Sequence, residues 1–439
     1  MFGGLLDLAE LEASEKELVE RDHHKSGERD LQRVMMKQSD AEQRQGEQDE
    51  FDRHASHCGF SLTAALTPAN AGIETFLLAV TERGTKGYSR DALRRAMART
   101  GSEIGVSPKE DWTVFGLRTT KTELDSSWAI FADRLMRPNI DTSDVEFIRD
   151  QLVTGIRQRA DSPDATLDYL ADSITFAGSP FALDPVGSAS AVSRITAAQL
   201  RAYHKSEIVT SRMLLVVVGD VSRERIEALI TTSIGRLPVG NYLWTAPDTL
   251  VTVRADAVFL KRSLPTNYLQ GYFLGPRADS PDAAPLRVAT AVLSGRLFSE
   301  IRSKRNLTYA VSSSFRDHGL TTIGLYVTTN DPEQTITIMR NEVRALKDLT
   351  IDTQLLRPLI QQFITEYFLE NETIGAQADF LARNQLYRGD FRAGERFVQD
   401  LRNVKGTDIQ RVMRRYFQNV RWAYIGDPSK IRRERLLDF

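Results

Sequence analysis

The sequence is poor in the side chains from which most metal and disulfide sites are built. Its 439 residues include a single cysteine, Cys58, and only six histidines. One cysteine excludes an intrachain disulfide and a cysteine-rich zinc cluster. A metal or acid–base site must therefore use carboxylates or the few histidines, which are His23, His24, His54, His57, His204 and His318.

Long apolar runs and an excess of charge of one sign are also lacking. No apolar run approaches the ~18 residues of a membrane span, and the first residues lack the basic and apolar regions of a secretory signal. This pattern predicts a cytoplasmic protein, with the periplasm as the alternative. The formal net charge is −2, which gives no reason to expect a nucleic-acid partner.

The first part of the chain differs in composition from the remainder. Residues 1–53 contain fifteen acidic and eight basic residues, whereas the rest contains 44 acidic and 49 basic residues. Such a polar, glutamine-rich segment is typical of a solvated helix or a disordered arm, and a docking arm is the alternative. We therefore assign residues 1–60 to an acidic N-terminal extension.

The remaining sequence has two halves with the same order of elements. Each half ends with a helix, a short apolar strand and the pair Gly-Asp, as MLLVVVGD at 213–220 and RWAYIGDP at 421–428. This repetition predicts an α+β fold with two similar domains, at 61–245 and 246–439. In each we expect an antiparallel or mixed sheet with helices packed on one side.

Four motifs in order carry a resemblance to a known family. They are the frame Gly72-Ile73…Gly84-Thr85, the helix Asp150–Val153 with Asp161-Ser162-Pro163, the stretch from Gly187 to LLVVVGDV, and LSGRLFSEIRSKRNLTYAVSSSF at 293–315. From Gly72 to Phe439 the chain resembles one subunit of the pitrilysin/insulinase-like metallopeptidases, in the processing-peptidase-like subgroup. Its Ala/Arg-rich composition favours a bacterial source.

The resemblance implies a zinc site that this chain lacks. Active members carry H-x-x-E-H and a later glutamate. The corresponding positions here are Thr75, Leu78, Ala79 and Gly155. These residues cannot supply the three ligands that a hydrolytic zinc needs, so we expect no metal and no cofactor in this chain. The nearby Glu74 and Glu82 are predicted to be solvent-facing helix carboxylates.

A second motif of the family is intact. Arg302 and Tyr309 stand seven residues apart in R-S-K-R-N-L-T-Y, and the resemblance implies that they reach across a chamber to a zinc site. An arginine can hold a substrate carbonyl or carboxylate, and a tyrosine hydroxyl can donate to an oxyanion. The alternative is a locally paired arginine and a strand tyrosine at a domain face.

Together these features predict the zinc-free subunit of a heterodimeric, peptide-cleaving metallopeptidase. The partner would be a homologous subunit that carries the zinc motif and its Zn²⁺, and this chain would not be catalytic alone. One alternative is an inactive homologue that binds peptides or scaffolds an assembly, and another is a self-sufficient enzyme with an unrecognised site. Peptides would add to an edge strand near residues 101–106, as the resemblance implies.

The segment His54-Ala55-Ser56-His57-Cys58 could place two histidines on one helix face, but an adventitious cluster is the simpler interpretation. His204 is expected to be structural and His318 to lie in a hairpin turn. The family's first domain opens with two strands, and residues 1–60 show no such pattern.

Overall fold

The computed structural model describes two α+β halves of the chain. It covers residues 54–61, 66–109, 111–245 and 254–439, and for 54–61 it describes the backbone alone. Each half contains one sheet, and each sheet lies beside a large apolar core. No helix in these ranges is both long and apolar enough to span a bilayer.

The described residues of the first half form four strands and eight α-helices. The strands are β1 (His54–Ser61), β2 (Glu103–Pro108), β3 (Trp112–Arg118) and β4 (Met213–Gly219). The helices are α1 (Ile73–Val80), α2 (Arg90–Thr100), α3 (Leu124–Met136), α4 (Thr142–Asp161), α5 (Pro163–Thr175), α6 (Ala189–Arg194), α7 (Ala197–Glu207) and α8 (Arg223–Thr232).

The first sheet is antiparallel, with the strand order β2-β3-β1-β4. Its strand β1 pairs Cys58 with Phe115 of β3 on one side and with Leu215 of β4 on the other. The sheet therefore takes in residues 54–60, which the sequence analysis assigned to the extension. It also provides a strand before α1, although the sequence pattern indicated none there.

From residue 254 onward, the second half forms five strands and seven α-helices. The strands are β5 (Asp256–Lys261), β6 (Asn267–Arg277), β7 (Val311–Arg316), β8 (Leu320–Thr329) and β9 (Arg421–Gly426). The helices are α9 (Ala283–Leu297), α10 (Pro332–Asp348), α11 (Arg357–Glu370), α12 (Ile374–Arg388), α13 (Phe397–Arg402), α14 (Gly406–Tyr416) and α15 (Arg433–Leu437).

The second sheet is mixed, with the strand order β5-β9-β6-β8-β7. Only β5 and β9 run parallel, and the other neighbours are antiparallel. The α+β class and the two similar domains predicted from the sequence are confirmed. The two strand orders also correspond. Strands β9, β6, β8 and β7 of the second sheet take the places of β4, β1, β3 and β2 in the first.

Local signals explain where several helices begin and end. Ser89 caps α2 by accepting from the Ala92 N–H, and Thr196 and Gln199 form a reciprocal capping box at α7. Ser162 ends α4 and caps α5, whose first residue is Pro163. Proline suits a first helical position because that N–H needs no intrahelical partner.

One helix of each half packs on the sheet of the other half. Helix α5 packs on β6 and β9, and α12 packs on β1 and β4. Leu167 of α5 is buried with Ile425 of β9, and Ala382 of α12 is buried with Val114 of β3. Both sheets are therefore covered on a second face, which joins the halves through two small apolar clusters.

Candidate functional site

Helix α1 holds three of the four residues that the sequence analysis assigned to the family's zinc positions. Thr75 is buried, and its hydroxyl donates to the Pro185 carbonyl at 3.0 Å. Leu78 is buried in the core, and Ala79 is half-buried at its border. A threonine that donates to a backbone carbonyl and two hydrocarbon side chains provide no zinc ligand.

The fourth position, Gly155, lies on α4, which packs against α1. It is exposed, and a Cβ built there would meet no atom within 4 Å. The two helices that carry the four assigned positions are thus in contact. The side chains at these positions do not fit zinc, and across the described residues no group of three His, Cys, Asp or Glu side chains could hold a metal ion.

Glu74, beside these positions, does not face solvent as the sequence analysis predicted. It is 2% exposed, because α1 is enclosed on almost every side. Its Oε2 accepts from the Tyr203 hydroxyl at 2.9 Å and lies 3.7 Å from the Arg212 guanidinium. Burial raises the pKa of Glu74 to about 7, although Arg212 acts in the opposite direction.

Glu82 does face solvent, with its side chain 53% exposed beside Arg134. His204 is structural, as predicted, because its Nε2 lies 2.7 Å from the Leu135 carbonyl oxygen. His318 lies in the turn between β7 and β8, also as predicted. The segment from His54 to Cys58 belongs to a strand, so it has no helix face; its side chains lie outside the described residues.

The structure brings Arg302 and Tyr309 together. The Arg302 guanidinium carbon lies 4.9 Å from the centre of the Tyr309 ring and 5.1 Å from the centre of the Phe298 ring. Each such contact stabilises by about 0.5–1 kcal/mol at an exposed site. Tyr309 itself is 82% exposed, so its hydroxyl is available to another molecule.

Neighbouring charges leave the Arg302 guanidinium without a carboxylate. The nearby Glu300 accepts from Lys304 at 2.7 Å and from Arg305 at 2.6 Å. Both cations hold the pKa of Glu300 below its usual range. Among the described side chains, none forms an ion pair or hydrogen bond with Arg302, so its five N–H donors remain available.

A π-helical turn at Phe298–Ser303 positions this pair. It follows α9 directly and ends three residues before Asn306, which has a left-handed φ of 50°. π-Helical turns are rare and widen one turn of a helix, often at functional sites. From its apolar spacing alone, Leu297–Lys304 is predicted to be an ordinary helix, because period and composition do not distinguish an α-helical from a π-helical turn.

The expected peptide-binding edge is also an edge in the structure. Strand β2 pairs with β3 alone among the described strands. Its Ile104 is buried, while Glu103 and Gly105 are exposed. An edge strand of this kind offers main-chain N–H and C=O groups to an added strand.

Comparisons with known proteins found a matching family model and several similar chains. The family model described as the Peptidase M16 inactive domain matches residues 194–363. An uncharacterized zinc protease of Mycobacterium tuberculosis is 25% identical over 363 residues, which cover 78% of this chain and 81% of that protein. The mitochondrial-processing peptidase subunit beta of Blastocladiella emersonii is 24% identical over 294 residues, covering 61% of this chain and 60% of that protein.

A solved structure has the same fold. It is the crystal structure of a peptidase M16 inactive domain from Pseudomonas fluorescens, with a TM-score of 0.77 and 20% sequence identity. The match covers 86% of this chain and 93% of that one. Residues 194–363 therefore match the M16 inactive-domain family, and the chain as a whole is similar to M16 zinc protease-like proteins and to a processing-peptidase subunit.

Proposed function

We propose that this chain is the non-zinc subunit of a heterodimeric metalloendopeptidase that degrades or processes peptides. Its partner would be a homologous subunit with the H-x-x-E-H motif, and Arg302 and Tyr309 would act at the partner's site. The observation that carries the proposal is the Arg302–Tyr309 pair, in which an unneutralised guanidinium is stacked beside an 82% exposed tyrosine.

The two side chains suit two separate tasks in peptide hydrolysis. The planar Arg302 cation would hold a substrate carbonyl or carboxylate through two parallel N–H bonds. The Tyr309 hydroxyl would donate a hydrogen bond to the oxyanion that develops as the peptide carbon becomes tetrahedral. Stacking between Phe298 and Tyr309 restricts the guanidinium before substrate arrives, which lowers the entropy lost on binding.

The open edge of β2 supports peptides as the substrate class. A strand added to Glu103–Pro108 would bind through main-chain hydrogen bonds, which tolerate many sequences. Extended peptides meet this requirement, whereas a folded protein buries most of its own main-chain groups.

The decisive experiment measures peptide hydrolysis by this chain mixed with a homologous subunit that carries H-x-x-E-H. Tyr309→Phe is expected to lower kcat by about 10²-fold, the usual effect of removing one oxyanion donor. Arg302→Ala is expected to raise KM as well, because the cation also holds the ground-state substrate. Arg305→Ala is the matched control, since its guanidinium is already paired with Glu300.

Unchanged turnover by both the Arg302 and Tyr309 variants would refute a role in catalysis. An inactive homologue that binds peptides or scaffolds an assembly is the second candidate, favoured by the β2 edge, which needs no catalytic group. In that case the chain would bind peptide, and its addition would leave the partner's hydrolysis rate unchanged.

A further inference from the structure

Tyr309 lies in a short irregular segment between the π-helical turn and β7, and the residues before it are anchored to the core of the second half. The Leu307 N–H donates to the Ile301 carbonyl at 3.0 Å, and the Leu307 carbonyl accepts from the Thr329 hydroxyl at 2.9 Å. Ile301 and Thr329 are both buried. The segment is therefore fixed through both main-chain groups of Leu307, two residues before Tyr309.

The end of the β7–β8 ladder at which β7 begins is irregular. Val311 faces Val327 in that ladder, so Ala310 and Thr328 form the next facing pair. The Thr328 N–H donates to the Ala310 carbonyl at 3.0 Å, and a regular antiparallel pair would exchange a second bond in return. The return path runs through the Thr308 hydroxyl instead, which accepts from the Ala310 N–H at 3.0 Å and contacts the Thr328 carbonyl oxygen.

Thr308 thereby closes a tight turn around Tyr309. A threonine oxygen that accepts from the N–H two residues later in the chain forms an ST turn, in which the side chain takes the place of a main-chain carbonyl. The hydroxyl proton has two carbonyl oxygens within reach, that of Thr328 and, at 2.8 Å, that of Ala310. Because Thr308 is 8% exposed and Tyr309 is 82% exposed, the turn holds one side chain inside and directs the next one outward.

The direction of this turn decides where the Tyr309 ring lies. So exposed a side chain is held weakly by packing, and its contact with the Arg302 guanidinium, at 4.9 Å, stabilises by only about 0.5–1 kcal/mol. That energy is comparable to thermal energy, so it does not by itself fix an aromatic ring on a loop. The main chain must therefore be held by other contacts, and the Thr308 bridge is adjacent to Tyr309 in the chain.

We infer that Thr308 is a positioning residue, whose hydroxyl holds Tyr309 stacked over Arg302 in the orientation from which the tyrosine would reach substrate. The inference rests on the proposed function of Tyr309, and it adds a buried residue that acts through that tyrosine. Valine has nearly the shape of threonine without its hydroxyl, so Thr308→Val removes the bridge and keeps the volume. The expected loss of rate comes from misplacement of Tyr309, and a misplacement of about 1 Å can cost about 10²-fold.

The first test needs this chain alone and follows the Arg302 Nε–H signal by NMR of the full chain with isotope-labelled arginine. The ring current of Tyr309 displaces that signal, and Tyr309→Leu gives its position without stacking. Thr308→Val and Thr308→Ala should both move the signal at least half of the way to that position, whereas Thr308→Ser should not. The control is Thr321→Val, which removes another buried hydroxyl of β8, one that donates to the Pro276 carbonyl at 2.6 Å. A signal that stays in place in the valine and alanine variants would overturn the inference.

The second test measures peptide hydrolysis by the mixture with the H-x-x-E-H subunit. Thr308→Val should lower kcat about tenfold with little change in KM, and Thr308→Ser should recover most of the turnover. In the Tyr309→Phe chain, Thr308→Val should have no further effect, because the donor that Thr308 orients is already gone. Equal losses in both backgrounds would mean a merely structural role and would overturn the inference. If Tyr309→Phe leaves turnover unchanged although Thr308→Val moves the Arg302 signal, the proposed function fails and the positioning by Thr308 stands.

Discussion

Glu74 is a carboxylate enclosed by an apolar core, and its environment decides its charge. Burial raises its pKa to about 7, while the Arg212 cation and the Tyr203 hydroxyl favour the ionised form. Unfolding exposes the group and returns the pKa to its usual value of about 4.3. Between these two pKa values the folded chain holds a proton that the unfolded chain has released, so stability falls as pH rises through this window.

The Glu74→Gln variant should remove this pH dependence. Glutamine is uncharged at every pH, so the variant does not lose stability as the pH rises through this window. Its free energy of unfolding, minus that of the wild type, should therefore increase by about 1–3 kcal/mol from pH 5 to pH 7.5. Urea denaturation of both proteins at the two pH values measures this difference. An identical difference at both values would show that Glu74 is ionised throughout.

Two glycines should respond oppositely to alanine. Gly155 lies inside α4 with open space around its Cβ position, so Gly155→Ala should stabilise by about 0.5–1 kcal/mol. Gly187 has a φ of 80°, and a Cβ there would collide with the Ala71 carbonyl oxygen, so Gly187→Ala should destabilise. Chemical denaturation of both variants is the measurement, and a destabilised Gly155→Ala would contradict the open surroundings of that position.

Residues differ in how well the sequence predicts their surroundings. Arg302 and Tyr309 could be predicted as a pair, because a continuous motif of seventeen residues, from Leu293 to Tyr309, surrounds them. The burial of Glu74 could not be predicted, since an argument from helix periodicity assumes that one face of the helix contacts solvent. Helix α1 has no such face over Ile73–Leu78, where every residue is buried.

Elements show the same division between local and long-range causes. Apolar residues at helical spacing predict a helix over Leu124–Met136, and the apolar run MLLVVV predicts a strand from Met213. Helix α3 and the start of β4 lie at these residues, because caps, apolar spacing and breakers are local. Strand β1 was missed, since its partners β3 and β4 come much later in the chain. Helix α5 was missed as well. The pattern over 144–159 predicts a helix that Asp161-Ser162-Pro163 ends, whereas Ser162 and Pro163 also begin a new helix.

The turn between β7 and β8 connects several elements through one aspartate. Asp317 accepts from Arg388 of α12 at 2.9 Å and lies 3.3 Å from Arg287 of α9. Burial alone would raise the pKa of Asp317, but the two cations overcome this effect and hold the pKa below its usual range. Two residues later the Gly319 N–H donates to Asp111 of the first half at 2.8 Å.

Asp317→Asn should therefore destabilise the chain by about 3 kcal/mol at pH 7, because it leaves two largely buried guanidiniums without their carboxylate. The wild-type advantage is present above the unfolded pKa of about 3.9 and disappears as pH falls below it. Urea denaturation at pH 7 and pH 3 provides the measurement. Asp279→Asn, at a carboxylate that is 43% exposed, is the control, and equal losses in the two variants would contradict the argument.

On the scale of the whole molecule, the exchange of α5 and α12 makes each sheet depend on the opposite half. Further contacts join the halves: Arg316 of β7 pairs with Asp172 of α5 at 2.7 Å, and the Trp244 indole donates to the Leu386 carbonyl of α12 at 2.8 Å. Two homologous domains could unfold independently if their interface were small and polar. Here the interface includes one face of each sheet, so we expect a single cooperative unfolding transition.

A charge placed in α12 tests this coupling directly. Ala382 is 2% exposed and packs in the cluster with Trp112 and Val114 of the first sheet. Ala382→Arg should destabilise the whole chain by at least about 3 kcal/mol, because it buries an unpaired cation. Although the substitution lies in the second half, hydrogen exchange should accelerate in β1 and β4 as much as in β6 and β8. The control is Gln399→Arg, at an exposed position of α13, which should leave hydrogen exchange in both sheets unchanged. Two separate urea transitions, or faster exchange in the second sheet alone, would show that the halves unfold independently.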